Sequence, residues 1–364
     1  MQIDVEALLC LSAVPGVGPT RLRALIGRFK TPEAVFKASV RDLVTVEGID
    51  QITARKIKTS TDGGFAKDQL SRLNKHLARV VTFWDSEYPE NLRKIYDPPA
   101  FLFVKGNLQK EDKYSIGVVG TRSPSAYGKL IAEKICGELA QWGITVVSGM
   151  ARGIDTLCHW GALKAGGRTV AILGSGLDVI YPNENRGLAK EIVARGALVS
   201  EFPMGTEPDA PNFPRRNRII CGMSLGTVVI EAGERSGALL TAAMALEQNR
   251  EVYAVPGNIN SPKSVGTNRL IKEGAKLVQS VEDIFAELGP QLNTHLKKGK
   301  LVEPKVSLTA EERKLLESLS EEPLHIDVIA QKNGLPTSRA LATLLSLELK
   351  DVVKQLAGKV FIRM

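Results

Sequence analysis

Apolar residues in the first 75 positions recur at the three- and four-residue spacing of helices, interrupted by two short glycine-containing turns. Three leucines among residues 8–11 lead into a Pro-Gly-Val-Gly turn at 15–18, and an amphipathic stretch follows at 21–29. A weaker copy of this arrangement spans residues 43–57. Helix, hairpin and helix occurring twice in succession predict a helix-hairpin-helix or SAM-like domain over residues 1–75.

Between residues 76 and 288 the pattern changes to short runs rich in valine and isoleucine, most of them separated by helical segments. Runs of this kind are typical of buried parallel strands. Strand and helix in alternation predict an α/β domain, with an extended Rossmann-like sheet that is mostly parallel and has helices on both faces. The candidate strands are residues 101–104, 115–120, 145–148, 169–173, 198–200, 227–230, 251–255 and 276–278.

The remaining residues divide into a polar segment and a small terminal domain. Residues 289–306 have few apolar anchors and four lysines, which is typical of a linker. Residues 307–364 show three amphipathic helical segments, at 309–319, 326–332 and 337–350, followed by a short hairpin. This order predicts a winged-helix-like domain, with its third helix in the position of a recognition helix.

Charge restricts where an anionic partner could bind. The 364-residue chain carries a formal net charge of +8, of which the segments 1–75, 76–288, 289–306 and 307–364 contribute +4, +1, +3 and 0. A basic balance is compatible with a polyanionic partner. The neutral terminal segment argues against duplex DNA as the partner of the winged helix. The nearly neutral central domain limits any anion site there to a local patch.

Composition is that of a globular protein, with 43% hydrophobic and 24% charged residues. No apolar run reaches the ~20 residues that span a bilayer, and the first residues lack a basic secretory leader pattern. The four cysteines follow neither metal-binding nor disulfide spacing. We therefore expect a cytoplasmic protein with reduced thiols, no metal and no other cofactor.

The ends of the candidate strands carry glycine, hydroxyl and arginine side chains together. Carboxyl ends of parallel strands share one crevice, glycines let backbone N–H groups approach a phosphate, and arginine forms bidentate phosphate contacts. Loops far apart in sequence are therefore expected to converge on one anionic ligand. The candidate binding residues are Gly120, Thr121, Arg122, Ser148, Arg152, Arg186, Arg215, Arg216, Asn217 and Arg218.

A single arginine after a strand is more often a surface residue or the partner of a carboxylate. We expect Arg168, Arg195, Arg235 and Arg250 to be of that kind. The run from 215 to 218 is the strongest element, because three arginines that open a helix repel one another without an anion. Aromatic side chains are more often core than base-stacking surfaces, and Phe202 and Phe213 are the two expected near the ligand.

Both terminal domains leave their roles open. The hairpin at 15–18 has exposed backbone N–H groups that can hold a DNA phosphate, but it can equally serve to turn the chain. In the winged-helix-like domain, Ser338, Arg339, Thr343 and Ser346 lie on the third helix, balanced by an acidic residue. That mixture is compatible with protein contact as much as with DNA contact.

Enzyme signatures are mostly absent. The four histidines form no His-Glu-x-x-His pair and no cluster with cysteine, no P-loop is present, and a dinucleotide fingerprint starting at Gly174 fails at its third glycine. We therefore expect no catalysis. Two alternatives stay open. One is a nucleotide-binding or nucleotide-cleaving enzyme, with a phosphate near Gly226 and Thr227 and a carboxylate at Glu231. The other is a regulator that binds duplex DNA through the terminal helices.

Six segments of the central domain, taken together, closely resemble the DNA-processing protein A (DprA/Smf) family. Four of them read Gly-Val-Val-Gly-Thr-Arg at 117–122, Ser-Gly-Met-Ala-Arg-Gly-Ile-Asp at 148–155, Leu-Gly-Ser-Gly-Leu-Asp-Val-Ile-Tyr-Pro at 173–182 and Phe-Pro-Arg-Arg-Asn-Arg-Ile-Ile at 213–220. The other two lie within 231–239 and 255–268. The first turn usually reads Gly-Ser-Arg in the family, and the threonine that replaces serine here keeps the hydroxyl.

The resemblance implies a homodimer whose extended Rossmann-like domain binds single-stranded DNA, and an interaction with the RecA recombinase. It implies that the chain protects incoming single strands during natural transformation and helps to load RecA onto them. Family DNA contacts correspond to Arg122 and to the basic residue after the Tyr-Pro pair, here Arg186. Ser148, Arg152 and residues 215–218 fall in the matching pocket. We therefore expect sequence-independent binding of single-stranded DNA without catalysis.

Overall fold

The computed structural model describes residues 3–60, 63–296, 309–319, 323–350, 352–356 and 358–363. The chain divides into two compact units, residues 1–302 and residues 303–364. The first contains the N-terminal helices and a large sheet, and the second is a small domain of helices and a hairpin. Among the described residues, no helix combines the length and apolar character needed to cross a membrane.

Six helices open the first unit, and polar caps explain where several of them begin. Asp4 accepts a hydrogen bond from the Ala7 N–H (2.9 Å), Asp50 accepts one from the Thr53 N–H (2.7 Å), and Ser39 starts a capping box. The helices are α1 (Val5–Ser12), α2 (Pro19–Phe29), α3 (Pro32–Lys37), α4 (Val40–Val44), α5 (Gln51–Thr59) and α6 (Gly63–Lys75).

The two glycine turns between these helices adopt a left-handed backbone. Gly16 has a φ of 97° and Gly48 a φ of 79°, values that favour glycine. Arg21 joins the first turn to the helix after it, since its Nη1 donates to the Gly16 carbonyl (2.6 Å). The predicted tandem of helix-hairpin-helix elements is confirmed.

A nine-stranded sheet forms the centre of the first unit, in the order β1-β2-β6-β5-β4-β3-β7-β8-β9. β2 pairs antiparallel with β1 and β6, and the other neighbours are parallel. All eight candidate strands are present, and the predicted fold class is confirmed. The strands are β1 (Ala78–Thr82), β2 (Phe101–Gly106), β3 (Ser115–Val119), β4 (Thr145–Ser148), β5 (Thr169–Leu173), β6 (Ala197–Ser200), β7 (Gly226–Val229), β8 (Glu251–Ala254) and β9 (Lys276–Leu277).

Helices cover both faces of the sheet, as successive strand residues show. Val146 packs with residues of the helices α8, α9 and α14, whereas its neighbour Val147 packs in the core that contains residues of α11 and α12. The helices of this part are α7 (Glu90–Arg93), α8 (Ala126–Gln141), α9 (Ile154–Lys164), α10 (Arg186–Arg195), α11 (Asn212–Met223), α12 (Gly237–Glu247), α13 (Val265–Lys272) and α14 (Val281–Leu296).

The direction of winding reverses between β3 and β7. From β3 the chain passes through β4 and β5 to β6 on one side, and then returns to place β7 on the other side of β3. Such a topological switch point leaves a crevice outside the carboxyl ends of the two strands.

The N-terminal helices share a core with the sheet. Leu9 and Leu73 pack in one apolar cluster with Phe103 of β2 and with residues of β5 and β6. Gln69 of α6 exchanges two buried hydrogen bonds with the backbone of Met204 (2.7 and 3.3 Å). The sequence boundary at residue 75 therefore separates two segments that pack together.

Part of the predicted linker is helical. α14 continues to Leu296, because Ile284, Leu288 and Leu292 form a buried stripe at four-residue spacing. The expectation of a linker from residue 289 was therefore wrong for 289–296, and residues 297–306 lie outside the described residues. Gly289, Pro290 and the lysines that follow interrupt the helical pattern in the sequence and obscure this apolar stripe.

The second unit has the predicted winged-helix order. Three helices pack with a three-stranded sheet that has the order β10-β12-β11. The core of this unit includes Leu315, Ile329, Leu344 and Phe361. The elements are α15 (Ala310–Glu317), β10 (Leu324–His325), α16 (Ile326–Asn333), α17 (Thr337–Leu349), β11 (Val353–Leu356) and β12 (Val360–Arg363).

Candidate nucleic-acid interface

A cleft of about 420 Å³ lies at the switch point, beyond the carboxyl ends of β3 and β7. The loop after β3, the start of α11 and the loop that leads into α12 line it. A second pocket of about 30 Å³ involves the loops after β4 and β5. Arg122, Phe213 and Arg216 line both spaces, so the strand-end loops do converge.

Arg122 stands between the two spaces on a turn that the backbone fixes. The Thr121 N–H donates to the carbonyl of Glu231 (2.7 Å), and a Cβ on Gly120 would lie 2.6 Å from Ile154. The exposed Arg122 guanidinium lies 5.4 Å from the centroid of the Phe213 ring. It donates to no acceptor among the described residues, so its N–H groups are available to an anion.

The loop after β4 is organised around a buried carboxylate that the sequence analysis did not single out. Asp155 accepts hydrogen bonds from the N–H groups of Gly149 (3.2 Å) and Ala151 (3.4 Å). Burial raises the pKa of Asp155 to about 6, although the nearby Arg216 acts in the opposite direction. Gly153, with a φ of 81°, lets the loop enter α9 against the backbone of residues 121–122.

Arg216 lines the cleft but is buried, so it is not a surface residue. The residue is 4% exposed, its Nη1 donates to the carbonyls of Gly149 and Ile172, and its Nε donates to the side-chain oxygen of Asn217 (2.9 Å). Burial lowers the pKa of Arg216 to about 10, and the carboxylate of Asp155 partly offsets this effect. The guanidinium therefore ties the ends of β4 and β5 to α11.

The other two arginines of α11 face different surroundings. Arg215 is exposed and lies 5.0 Å from the centroid of the Phe202 ring. Arg218 forms a salt bridge with Glu201 and donates to the carbonyl of Asp97, and both charged side chains of the pair are largely buried. Arg215 can reach a ligand, whereas Arg218 is engaged inside the protein.

The remaining candidates differ in how freely they can contact a ligand. Ser148 is fully buried and donates to the Val118 carbonyl (2.6 Å), so its hydroxyl joins β4 to β3 and does not reach the cleft, contrary to expectation. Arg152 is exposed and forms a bidentate salt bridge with Glu184 (2.9 and 3.2 Å). Arg186 is exposed at the start of α10, outside both cleft linings.

Asn217 and Arg235 complete the cleft wall from two sides. The Asn217 side chain donates to the Thr241 hydroxyl (2.9 Å), which joins α11 to α12. Arg235 is exposed in the loop before α12 and lines the cleft. From the sequence alone, Arg235 was expected to be an ordinary surface arginine, and the strand order is the signal that places it here.

The geometry gives little support to a nucleotide-cleaving centre at β7. Gly226 begins this strand and Glu231 follows its other end, so about 16 Å of extended chain separate them. The Glu231 carboxylate is buried and accepts hydrogen bonds from the Ser125 N–H (2.8 Å) and hydroxyl (2.5 Å), which hold it at the start of α8. No group of three or more metal-ligating side chains occurs in the part of the chain that the structure describes.

Polar side chains on the third helix of the winged-helix domain bond to carboxylates of the same domain. Arg339 forms a bidentate salt bridge with Glu311 (2.8 and 2.9 Å), and Ser346 donates to Glu312 (2.8 Å). Leu341 and Leu345 are exposed on the same helix. This arrangement offers few groups to base edges in a major groove.

The sheet order and the two flanking modules together define a Rossmann-like α/β protein with an N-terminal helix-hairpin-helix tandem and a C-terminal winged helix. The family described as DNA recombination-mediator protein A matches residues 79–289, the DprA winged helix domain matches 300–359, and the SAM-like helix-hairpin-helix tandem matches 8–60. The chain belongs to the DNA recombination-mediator protein A family.

Three similar proteins cover between 59% and 96% of this chain. Protein Smf of Synechocystis is 35% identical over 383 residues, covering 96% of each chain. The X-ray structure of DNA processing protein A from Streptococcus pneumoniae has a TM-score of 0.68 and 33% identity, covering 79% of this chain and 99% of that one. A structure of DNA processing protein A from Helicobacter pylori, described by its single-stranded DNA binding mode, has a TM-score of 0.53 and 27% identity, covering 59% and 96%.

Proposed function

We propose that this chain binds single-stranded DNA at the crevice around Arg122, without reading its sequence and without chemical change to it. The observation that carries the proposal is the exposed Arg122 guanidinium, which stacks on Phe213 and has no acceptor among the described residues. Arginine and aromatic side chains in one groove are suited to the phosphates and the faces of bases in an unpaired strand. The homologue from Helicobacter pylori, whose structure is described by single-stranded DNA binding, supports this choice of ligand.

The solvent exposure of each candidate residue decides whether we assign it to the ligand or to the support of the loops. Arg122, Arg152, Arg186 and Arg215 are exposed cations that would hold strand phosphates, and Phe213 would meet a base. The buried residues Ser148 and Arg216 and the largely buried Arg218 would hold the loops in place. The chain would thereby protect incoming DNA in natural transformation and, as a homodimer, help to load RecA, roles that follow from the family resemblance.

Fluorescence anisotropy with a labelled mixed-sequence strand and its duplex, over a salt series, tests this function. Arg122→Ala should weaken strand binding about tenfold, and the logarithmic salt slope should fall by about 0.7 if one phosphate contact is lost. Lys110→Gln, in the exposed turn before β3 at the opposite edge of the sheet, removes one charge away from the crevice and serves as the control. Equal affinity for duplex, or an Arg122→Ala variant that binds like the control, would contradict the proposal. Turnover of free nucleotides would favour an enzyme instead.

A further inference from the structure

One residue, Glu231, holds the turn that carries Arg122 at both of its ends. The Glu231 backbone carbonyl accepts a hydrogen bond from the Thr121 N–H (2.7 Å). Its carboxylate accepts two more, from the Ser125 N–H (2.8 Å) and from the Ser125 hydroxyl (2.5 Å). Arg122 and Ser123 lie between these attachments and are exposed. The position of the Arg122 backbone therefore depends on a residue that follows β7.

The Glu231 carboxylate lies against the first turn of the 16-residue helix α8. Ser125 caps this helix by accepting from the Gly128 N–H (3.0 Å), and a Cβ on Gly128 would overlap the Glu231 carboxylate. The positive end of a helix attracts an anion, and here a carboxylate of the protein itself occupies that place. Glycine is unfavourable inside a helix, so the space that the carboxylate needs explains why residue 128 has no side chain.

Glu231 is too buried to contact a ligand directly. The residue is 2% exposed, it lines neither pocket of the site, and its carboxylate forms no ion pair within the part of the chain that the structure describes. A buried charge is costly unless polar groups stabilise it, and the two Ser125 hydrogen bonds at the helix end supply that stabilisation. The carboxylate is therefore suited to holding Ser125.

The two ends of the turn are not held equally. Thr121 has a second attachment, because its carbonyl accepts from the Ile154 N–H at the start of α9 (3.1 Å). Among the described residues, the Glu231 carboxylate is the group that joins Ser125 to the loop after β7. Loss of the carboxylate should therefore release the Ser125 end of the turn while the sheet and α9 remain in place.

We propose that Glu231 is a positioning residue for strand binding, which fixes the Arg122 turn by holding Ser125 at the start of α8. The inference rests on the proposed function, since Arg122 is the ligand contact that is positioned. A turn that is already ordered in the free protein loses less conformational entropy when Arg122 contacts the strand. Glu231 thereby contributes to affinity without touching DNA.

The test uses Glu231→Gln, Ser125→Ala and Ser125→Thr, with Ser39→Ala as the matched control. Glutamine replaces one accepting oxygen by an N–H donor, alanine removes the Ser125 hydroxyl, and threonine keeps it. Ser39 also caps a helix and donates to a carboxylate, that of Asp42 (2.7 Å), but it lies among the N-terminal helices, outside both pocket linings. Thermal melts establish which variants are folded, and the two Ser125 variants carry the test if Glu231→Gln does not fold.

Strand affinity is measured by anisotropy with the labelled mixed-sequence strand. Glu231→Gln and Ser125→Ala should weaken binding about three- to tenfold, whereas Ser125→Thr and Ser39→Ala should bind like the wild type. In an Arg122→Ala background, Glu231→Gln should cause no further loss, because the group that it positions is absent. A full second loss in that double variant, or wild-type affinity of both Glu231→Gln and Ser125→Ala, would overturn the positioning role.

A measurement without DNA separates this inference from the proposed function. Hydrogen exchange of the amides in residues 120–128, followed by mass spectrometry, should be faster in Glu231→Gln and Ser125→Ala than in the wild type, because the turn opens more readily. If exchange is faster but the wild type binds no strand, Glu231 fixes the turn and the proposed function is refuted. If strand binding depends on Arg122 while both variants exchange and bind like the wild type, the proposed function stands and the positioning role is refuted.

Discussion

The Arg216 guanidinium fills the space that a side chain at residue 149 would need. A Cβ on Gly149 would lie 2.5 Å from the guanidinium, and the Gly149 carbonyl accepts a hydrogen bond from it. Arg122, which lines the same cleft, has no such partner among the described residues. Of these two arginines, Arg216 holds the loops together, whereas Arg122 is the one that we propose to contact the ligand.

Arg216→Ala should therefore destabilise the fold, whereas Arg122→Ala should not. Removing a buried guanidinium leaves Asp155 without its cationic neighbour and two carbonyls without a donor, which costs about 3–5 kcal/mol. Arg122→Ala should change the free energy of unfolding by less than about 0.5 kcal/mol. Urea unfolding followed by circular dichroism measures both values, and equal stability of the two variants would contradict the assignment.

Arg215 and Arg218 of α11 offer a second matched pair. Arg218→Met breaks the largely buried salt bridge to Glu201 and should cost about 3 kcal/mol of stability. Arg215→Met should leave stability nearly unchanged but weaken strand binding, because this guanidinium is exposed above Phe202. Unfolding and anisotropy measurements on both variants check this division. It is incorrect if Arg218→Met is as stable as wild type or if Arg215→Met binds the strand normally.

The strands were predictable because a sheet buried on both faces requires continuous valine and isoleucine runs, as in the fully buried β3 and β5. β1 was missed because its first three residues are only half-buried and it pairs at the sheet edge. The convergence of strand-end loops also followed from the pattern, since parallel strands end at one edge.

The sequence alone could not predict which arginine remains available to a ligand. Arg218 is neutralised by Glu201, a residue that strand order and packing bring to it across the end of β6. Arg235 lies in a short polar loop that resembles any surface turn, and only the position of β7 beside β3 places it on the cleft. The sequence pattern indicates which loops lie close together. The salt bridges and hydrogen bonds that form inside the fold decide which arginine donors remain available to a ligand.

His159 should make stability depend on pH. It is fully buried, its Nδ1 lies 2.6 Å from the Thr169 hydroxyl, and burial lowers its pKa from 6.5 to about 3. The unfolded state then binds more protons below about pH 6.5, so stability falls as the solution is acidified, by up to about 1.4 kcal/mol per pH unit. Asp155 acts in the opposite direction, because its raised pKa favours proton uptake by the folded state between pH 3.8 and about 6.

A comparison of wild type with His159→Asn isolates the histidine contribution. Thermal or urea unfolding between about pH 5 and 7 should give a wild type whose stability declines more steeply on acidification than that of the variant. Parallel curves for the two proteins would show that His159 is not kept neutral by the fold.

Glu184 should compete with DNA for Arg152. The two side chains form an exposed bidentate salt bridge, with 57% and 58% of their side-chain surfaces accessible, so the pair contributes little to stability. Glu184→Gln removes a negative charge beside the proposed strand path and frees the guanidinium. Strand affinity in anisotropy should rise about two- to fivefold at low salt, and the gain should shrink as salt screens the charges.

Glu191→Gln on α10 removes one negative charge away from Arg152 and should produce a smaller change. If both substitutions raise affinity equally, net charge explains the effect and Arg152 is not a strand contact; if Glu184→Gln alone does so, the salt bridge occupies a DNA-binding arginine in the free protein.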